Sequence, residues 1–275
     1  MEIEGRVVVV TGAAGGIGRA LCVEFARQGV AAVVAVDLNR GPLDDVDRAV
    51  ADLGASSFAT VADVTRESDV LRVVSEVARQ FGPIDIFCSN AGITGPGGAE
   101  ALDSDWQRMW DVNVMAHVYA ARALLPDMLE RGEGYLVNTA SAAGLLTNLG
   151  AAAYSVTKHA AVAFAEWLSI THGSAGIRVS CLCPQGVNTP MLTGAAPGAG
   201  LAEGELAQRA VQLAGRVLEP SDVALAVVAG IRQEAFLILP HEEVRQYMTR
   251  KAEDPERWLS SMRSAQAALE APAAP

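Results

Sequence analysis

Short, nearly continuous apolar segments alternate with amphipathic ones from the N-terminus to about residue 240. The apolar segments have the length of strands: RVVVVT, AAVVAVD, SFATVAD, IDIFCSN, GYLVNTAS, IRVSCLCP and AFLILP. The segments between them have helical periodicity, as in ALCVEFARQG, VLRVVSEVARQFG and SDVALAVVAGIRQ. Uninterrupted apolar strands that alternate with helices are typical of a parallel sheet covered on both faces. The pattern therefore predicts an α/β fold, a doubly wound parallel sheet of about seven strands with helices on both faces.

The alternation is not interrupted by a linker, so it predicts one domain over residues 1–240. Residues 188–215 include TGAAPGAGLAEG, which is too rich in Gly, Ala and Pro for a firm helix, and we expect a mobile substrate loop there. Residues 241–275 form a polar, helix-like C-terminal extension. Its end, AQAALEAPAAP, is expected to fray into a disordered tail.

A glycine-rich turn follows the first apolar segment directly: Thr11-Gly12-Ala13-Ala14-Gly15-Gly16-Ile17-Gly18. A glycine turn between a strand and a helix lets the backbone approach a pyrophosphate, whose charge then lies at the helix N-terminus. The spacing G-x-x-x-G-x-G differs from the usual G-x-G-x-x-G, and glycine turns without a ligand are common. Its place after the first strand favours a dinucleotide site in a Rossmann-type domain.

The second apolar segment ends in Asp37, close to the twenty residues downstream that such a site requires. A carboxylate there can accept hydrogen bonds from both ribose hydroxyls of NAD and repels the 2′-phosphate of NADP. The alternative is an ordinary turn residue at a strand end. Arg40 is the nearby cation that could bind the phosphate of NADP instead.

Tyr154 and Lys158 lie four residues apart in an otherwise apolar helical segment. Residues at i and i+4 share one face of a helix, and neither side chain belongs in a dry core without a partner. The pair is either a packed tyrosine beside a surface lysine or a functional pair.

Together these segments resemble the classical short-chain dehydrogenases/reductases over nearly the whole chain to about residue 240. The resemblance also covers Asp63-Val64 after the third strand and Asn90-Ala91-Gly92 after the fourth. It implies a catalytic tetrad: Asn113, Ser141, Tyr154 and Lys158. It implies cofactor contacts at these positions: Gly12, Gly16, Ile17, Gly18, Asp37, Asp63, Val64, Asn90, Ala91, Gly92, Tyr154, Lys158, Pro184, Val187 and Thr189.

The family's activity implies an oxidoreductase that transfers a hydride between NAD(H) and a secondary alcohol or ketone, with Tyr154 as general acid/base. Lys158 and the oxidised nicotinamide would lower the pKa of Tyr154, which is near 10 without them. Lys158 would also bind the nicotinamide ribose, Ser141 would hold the substrate oxygen, and Asn113 would mark a helix kink that holds a relay water. An NADP-dependent carbonyl reductase is the alternative enzyme. A non-catalytic dinucleotide-binding sensor is the alternative from another class, and the intact tyrosine–lysine pair argues against it.

The chain departs from the family pattern at two points. After the sixth strand the chain reads Pro184-Gln185, where the family often has Pro-Gly, and a polar extension replaces the glycine-rich ending.

Apolar residues at 145–146 and 191–192 predict a pocket for an apolar or cyclic secondary alcohol. The helical segments around 104–130 and 152–172 are apolar beyond one core-facing stripe. The family pairs these helices between subunits, which implies a homodimer or homotetramer.

Composition excludes several other classes. The formal net charge of −11 argues against nucleic acid or an anionic membrane as a partner. No apolar run reaches the length of a membrane span, and the N-terminus does not resemble a signal peptide, so a cytoplasmic protein is expected.

Cys181 and Cys183 would share one strand face, as a metal-binding or redox-active pair could. No second Cys or His pair stands at ligand spacing, which favours reduced, buried thiols and no metal site.

Overall fold

The computed structural model describes residues 1–95, 97–193, 209–211 and 215–270. The strands are β1 (Val7–Thr11), β2 (Ala32–Asp37), β3 (Ser56–Val61), β4 (Ile86–Ser89), β5 (Gly134–Thr139), β6 (Ile177–Leu182) and β7 (Leu237–Ile238). The helices are α1 (Gly16–Arg27), α2 (Arg40–Ala51), α3 (Glu67–Phe81), α4 (Asp103–Trp110), α5 (Ala116–Arg131), α6 (Ala143–Leu146), α7 (Ala152–His172), α8 (Pro190–Thr193), α9 (Pro220–Gln233), α10 (Glu242–Glu253) and α11 (Pro255–Glu270). A π-helical turn, Asp111–Met115, joins α4 to α5, and a 3-10 turn, Gly173–Ala175, follows α7.

The seven strands form one parallel sheet in the order β3-β2-β1-β4-β5-β6-β7. Strand order reverses between β1 and β4, and the crevice at such a switch point is where ligands bind in open parallel sheets. The predicted doubly wound sheet is confirmed. The seventh strand is shorter than its apolar segment, because only Leu237 and Ile238 pair with β6 at the sheet edge.

Alternate strand residues supply the two cores, one on each face of the sheet. Val8, Val10 and Val33 belong to the core under α1, α2 and α9. Val9 and Val34 belong to the core under α3, α5 and α7. Burial on both faces explains why the strands lack polar alternation.

The C-terminal extension forms α10 and α11, as its helix-like pattern predicts. Helix α11 continues to Glu270, so the segment expected to fray is helical over 265–270, and residues 271–275 lie outside the described part. Most of the predicted mobile loop, 194–208 and 212–214, also lies outside it.

Candidate active site

A cavity of about 1370 Å³ opens at the carboxyl ends of the central strands. Thirteen of the residues predicted to bind the cofactor or to act in catalysis line it: Gly12, Gly16, Ile17, Asp37, Asn90, Ala91, Gly92, Ser141, Tyr154, Lys158, Pro184, Val187 and Thr189. Gly18, Asp63, Val64 and Asn113 are not among the described lining residues. One cavity therefore joins the glycine turn to the tyrosine–lysine pair.

The glycine turn between β1 and α1 has the conformation of an anion cradle. Gly12 and Gly16 have φ angles of +67° and +51°, which favour glycine. No atom lies within 4 Å of a Cβ built on Gly15, so that position has open space beside it. Helix α1 has no side-chain cap, so its first N–H groups are available to a phosphate.

Gly18 has a packing role behind the turn. A Cβ at this position would lie 2.0 Å from the carbonyl oxygen of Gly12 and 2.8 Å from Nδ2 of Asn90. Only glycine lets helix α1 approach the turn this closely. Gly18 therefore sets the backbone path of the turn, and its predicted cofactor contact stays a prediction.

Thr11 connects the glycine turn to the Asn90-Ala91-Gly92 segment, a link that the sequence did not reveal. Its Oγ1 accepts hydrogen bonds from the backbone N–H groups of Asn90 (2.9 Å) and Ala91 (3.1 Å). The Asn90 amide donates to the Thr11 carbonyl oxygen at 3.0 Å and accepts from the Thr139 hydroxyl at 3.2 Å. These bonds fix the ends of β1, β4 and β5 relative to one another.

Asp37 lies beside the glycine turn at the end of β2. Its Oδ2 accepts a hydrogen bond from the Ala14 N–H at 3.0 Å, and its Oδ1 accepts one from the Leu38 N–H at 2.7 Å. Arg40 points elsewhere, because it forms an ion pair with Asp44 at 2.8 Å and donates to the Ala59 carbonyl oxygen at 3.1 Å. Arg40 is also absent from the described cavity lining.

Asp63 organises the turn between β3 and α3. Its Oδ1 accepts hydrogen bonds from the N–H (3.0 Å) and hydroxyl (2.6 Å) of Thr65, and its Oδ2 lies 3.5 Å from the Arg66 guanidinium. The predicted adenine contacts of Asp63 and Val64 stay predictions.

Ser141 and Tyr154 line the cavity together, and a hydrogen bond with Ser141 is one of the influences on the pKa of Tyr154. Ser141 lies just after β5, where its Oγ also accepts from the Ala143 N–H at 3.1 Å, and Tyr154 lies in the first turn of α7. Burial raises the pKa of Tyr154 above its ordinary value of 10, and the hydrogen bond with Ser141 lowers it in part. The side chains of this chain therefore do not by themselves favour the phenolate.

Lys158 is buried one turn further along α7. Its Nζ donates to the Thr139 carbonyl oxygen at 2.9 Å and lies 5.7 Å from the Tyr154 ring centroid. Burial lowers the pKa of this ammonium to about 8. Burial thus dominates the pKa of Tyr154 among the side chains of this chain, and the lowering expected from Lys158 together with the oxidised nicotinamide stays a prediction.

Asn113 occupies the centre of the π-helical turn between α4 and α5, where the resemblance implies a kink. Its side chain is fully buried and makes two hydrogen bonds with the backbone of Ile93, both at 2.9 Å. Its Nδ2 also lies 3.1 Å from the hydroxyl of Thr157, the neighbour of Lys158. Asn113 thus holds the segment after Gly92 against α7.

Comparison with known families agrees with this geometry. A model of the short chain dehydrogenases matches residues 6–199. The chain belongs to the short-chain dehydrogenase/reductase family.

Individual relatives cover most of the chain. A 1-deoxy-11-beta-hydroxypentalenate dehydrogenase from Streptomyces exfoliatus is 42% identical over 228 residues, which are 80% of each chain. Estradiol 17-beta-dehydrogenase 11 from Mus musculus is 29% identical over 95% of this chain and 84% of its own. A solved short chain dehydrogenase/reductase from Burkholderia phymatum, in complex with NAD, superposes with a TM-score of 0.84 at 31% identity, covering 94% of this chain and 96% of that one.

The Gln185 segment, where this member departs from the family pattern, is held by His241. His241 is buried; its Nδ1 accepts from the Gln185 N–H at 3.1 Å, and its Nε2 lies 3.1 Å from the carbonyl oxygens of Gly186 and Arg216. The side-chain Oε1 of Gln185 is buried, has no partner among the described residues and belongs to a residue that lines the cavity. It is therefore an acceptor available to a bound molecule.

His117 and Asn138 form a buried pair on the α5 side of the sheet, and no sequence pattern indicates that they meet. His117 Nδ1 lies 3.0 Å from Asn138 Oδ1, while His117 Nε2 and Asn138 Nδ2 have no partner in the described structure. Burial and the nearby Lys158 lower the pKa of His117 to about 4, so the imidazole is neutral at physiological pH. Buried orphan groups of this kind are usually satisfied by internal water.

The four cysteines are free and buried. Cys181 Sγ and Cys183 Sγ lie 3.7 Å apart on β6 and the residue after its end, as their shared face predicts. Within the described residues there is no cluster of three or more His, Cys, Asp and Glu side chains that could hold a metal ion. Among the helices described, none combines the length and apolarity that a membrane crossing requires.

Proposed function

We propose that this protein is an NAD-dependent dehydrogenase that interconverts a secondary alcohol and its ketone. The observation that carries the proposal is the cavity that brings Ser141, Tyr154 and Lys158 together with the glycine turn. The turn, the uncapped start of α1 and the position of Asp37 beside the turn support a dinucleotide site. Such a site, with a tyrosine that can exchange a proton, supports hydride transfer coupled to proton transfer.

Tyr154 and Ser141 would handle the proton and the oxygen. When NAD is bound, its nicotinamide supplies the hydride acceptor and a positive charge near Tyr154. In the oxidation direction, the alcohol carbon loses its hydride and the hydroxyl proton passes to the phenolate oxygen of Tyr154. The Ser141 hydroxyl donates a hydrogen bond to the substrate oxygen and stabilises the charge that develops there. In the reduction direction Tyr154 returns the proton.

Lys158 would stabilise the negative charge of the Tyr154 phenolate. Its buried ammonium has one donor committed to Thr139 and two left for the ribose and the phenolate. Asn113 would act by positioning, since it holds the backbone of Ile93 beside the helix that bears Lys158. The remaining cofactor contacts proposed are the backbone of Gly18 and, at the adenine end, Asp63 and Val64.

NAD is favoured over NADP by the charges at the end of β2. Asp37 would face the adenosine ribose, and Arg40 is engaged by Asp44 and Ala59. The solved relative from Burkholderia phymatum, in complex with NAD, supports the same choice.

The substrate is proposed to be a largely apolar, cyclic secondary alcohol or its ketone. Apolar side chains line the cavity on the substrate side: Leu146, Leu149, Met191, Leu192, Trp258, Met262 and Leu269. The names of the two relatives compared above, a hydroxypentalenate dehydrogenase and an estradiol dehydrogenase, support a hydroxyl-bearing substrate of this kind.

A panel of acyclic, monocyclic and steroidal secondary alcohols, assayed with NAD by the absorbance of the reduced cofactor, tests the proposal. We expect oxidation of cyclic members and much slower oxidation of short acyclic ones. Tyr154→Phe serves as the inactive control. Tight NAD binding without turnover of any alcohol or ketone would instead indicate a dinucleotide sensor.

A further inference from the structure

The C-terminal helices form a wall of the cavity. Helix α10 packs its buried Val244 beside α6, and Lys251 Nζ donates to the Leu145 carbonyl oxygen at 2.7 Å. The cavity-lining positions of α11 recur every three or four residues and therefore share one helix face: Arg257, Trp258, Ser261, Met262, Ala265, Ala268 and Leu269. The extension is thus part of the substrate side of the site.

Two arginines stand on this wall. Among the described residues that line the cavity, the basic ones are Lys158, Arg250 and Arg257. Lys158 is buried and bonded to Thr139, whereas Arg250 and Arg257 are exposed and form no ion pair with the described residues. The Arg250 guanidinium lies 5.9 Å from the Tyr247 ring centroid, a contact that leaves its N–H donors available.

Two carboxylates lie near the arginines in the chain and affect the net charge of this part of the wall. Asp254 Oδ1 accepts the Arg257 backbone N–H at 2.9 Å and so holds the start of α11. The Glu253 side chain makes no hydrogen bond or ion pair with the described residues, although Glu253 lines the cavity. Because the four formal charges cancel, the arginines contribute directed guanidinium donors and not a strong positive field.

We propose that Arg250 and Arg257 bind a carboxylate of the substrate, at a part of the molecule other than the reacting hydroxyl. A guanidinium presents paired N–H donors that match a carboxylate, and the apolar residues Trp258, Met262 and Leu269 on the same wall would hold the rest of an apolar ligand. The substrate is then an apolar hydroxy acid. This inference rests on the proposed function for the reaction, but the anion site can be measured without turnover.

The test compares acids with their methyl esters. The probes are steroidal and monocyclic hydroxy acids, for example lithocholate and methyl lithocholate, and binding is followed by the quenching of tryptophan fluorescence. For the wild-type protein with NAD, we expect at least one acid to bind about tenfold more tightly than its ester, the selectivity that about 1.4 kcal/mol confers. In Arg250→Met/Arg257→Met the two should bind within about twofold of each other, with ester binding unchanged, since apolar contacts remain.

Three controls separate a specific contact from a general effect. Arg263→Met removes an exposed arginine of α11 that is not among the described lining residues, and it should leave the acid-to-ester ratio unchanged. Glu253→Gln should raise acid affinity by about two- to fivefold, because it removes a competing carboxylate at the surface. NAD affinity and thermal unfolding should stay at wild-type values in all these variants.

Failure of the inference and failure of the proposed function give different results. Equal binding of acids and esters by the wild-type protein, or an unchanged ratio in the double arginine variant, overturns the carboxylate site. Arginine-dependent binding of acids without oxidation of any alcohol supports the site and overturns the proposed reaction.

Discussion

Asp37 Oδ2 accepts a hydrogen bond from the Ala14 N–H at 3.0 Å, which ties the end of β2 to the glycine turn. We propose that this carboxylate accepts hydrogen bonds from the adenosine ribose of the dinucleotide. Charge-assisted hydrogen bonds to ribose hydroxyls are worth about 1.5–3 kcal/mol, and NADP would lose them and gain repulsion. We expect a preference for NAD of at least about a hundredfold in kcat/KM. Asp37→Ala should reduce this preference, mainly because NAD binds more weakly to the variant.

Asp44→Ala is the matched variant, since it frees Arg40 from its ion pair. An exposed arginine contact is worth about 1 kcal/mol or less, so NADP use should rise by no more than about fivefold. Steady-state kinetics with NAD and NADP at equal concentration measure this preference in the wild-type protein and both variants. Equal turnover of NAD and NADP by the wild-type protein would show that Asp37 does not select the cofactor.

Tyr154→Phe should abolish turnover while NAD affinity stays within a few-fold. General acid–base catalysis contributes about 10²- to 10⁴-fold, and the phenol acts on the proton and not on the dinucleotide. The measurement is kcat for a secondary alcohol together with NAD affinity from a direct titration. Tyr119→Phe, a partly buried tyrosine beside Arg122, is the control and should keep wild-type activity. Retention of more than about a tenth of kcat by Tyr154→Phe contradicts the assignment.

The central strands could be predicted because burial on both faces makes them continuous apolar runs, and most helices because their apolar residues recur with helical period. Periodicity could not predict that only Leu237 and Ile238 of the last apolar segment pair with β6, because pairing at a sheet edge depends on the neighbouring strand. The π-helical turn around Asn113 was not predicted from the apolar pattern, and only the family resemblance indicated a kink at this position.

The parts of the site that were not predicted from the sequence depend on contacts between distant segments. Thr11 meets Asn90, and His117 meets Asn138, through the sheet topology, and nothing in their local sequence signals this. The cavity-facing side of α11 did have a signal, since Trp258, Met262 and Leu269 are spaced for one helix face. The polar composition of the extension obscured it.

Lys158 should reduce the stability of the fold in a way that depends on pH. Burial lowers its pKa from 10.5 to about 8, so below about pH 8 the chain folds with a buried charge, at a cost of about 3 kcal/mol. Between about pH 8 and 10.5 the unfolded chain still binds the proton that the folded chain has released. The free energy of unfolding contributed by this group therefore rises with pH through that window.

Lys158→Met removes this titration. Relative to the wild-type protein, the variant should gain up to about 3 kcal/mol near neutral pH, and the gain should shrink toward pH 10.5. Urea denaturation of both proteins at several pH values measures the difference directly, and other alkaline effects cancel in it. A difference that stays constant across the window would mean that Lys158 does not titrate there.

The exposed apolar side chains of α4 and α7 predict self-association. On α7, Trp167 and Ile170 are 53% and 82% exposed, and on α4, Trp110 is 40% exposed. Trp167 also stacks on Phe164 with ring centroids 6.3 Å apart, so it presents an ordered aromatic surface. Patches of this kind mark interfaces, and a two-fold contact is the commonest arrangement. We expect at least a dimer in sedimentation at micromolar concentration, and a monomer for Trp167→Glu/Ile170→Glu.

The control is Leu71→Glu, at a residue on α3 that is 48% exposed, and it should leave the assembly unchanged. A wild-type monomer, or dissociation by Leu71→Glu to the same extent, would contradict an interface on α7.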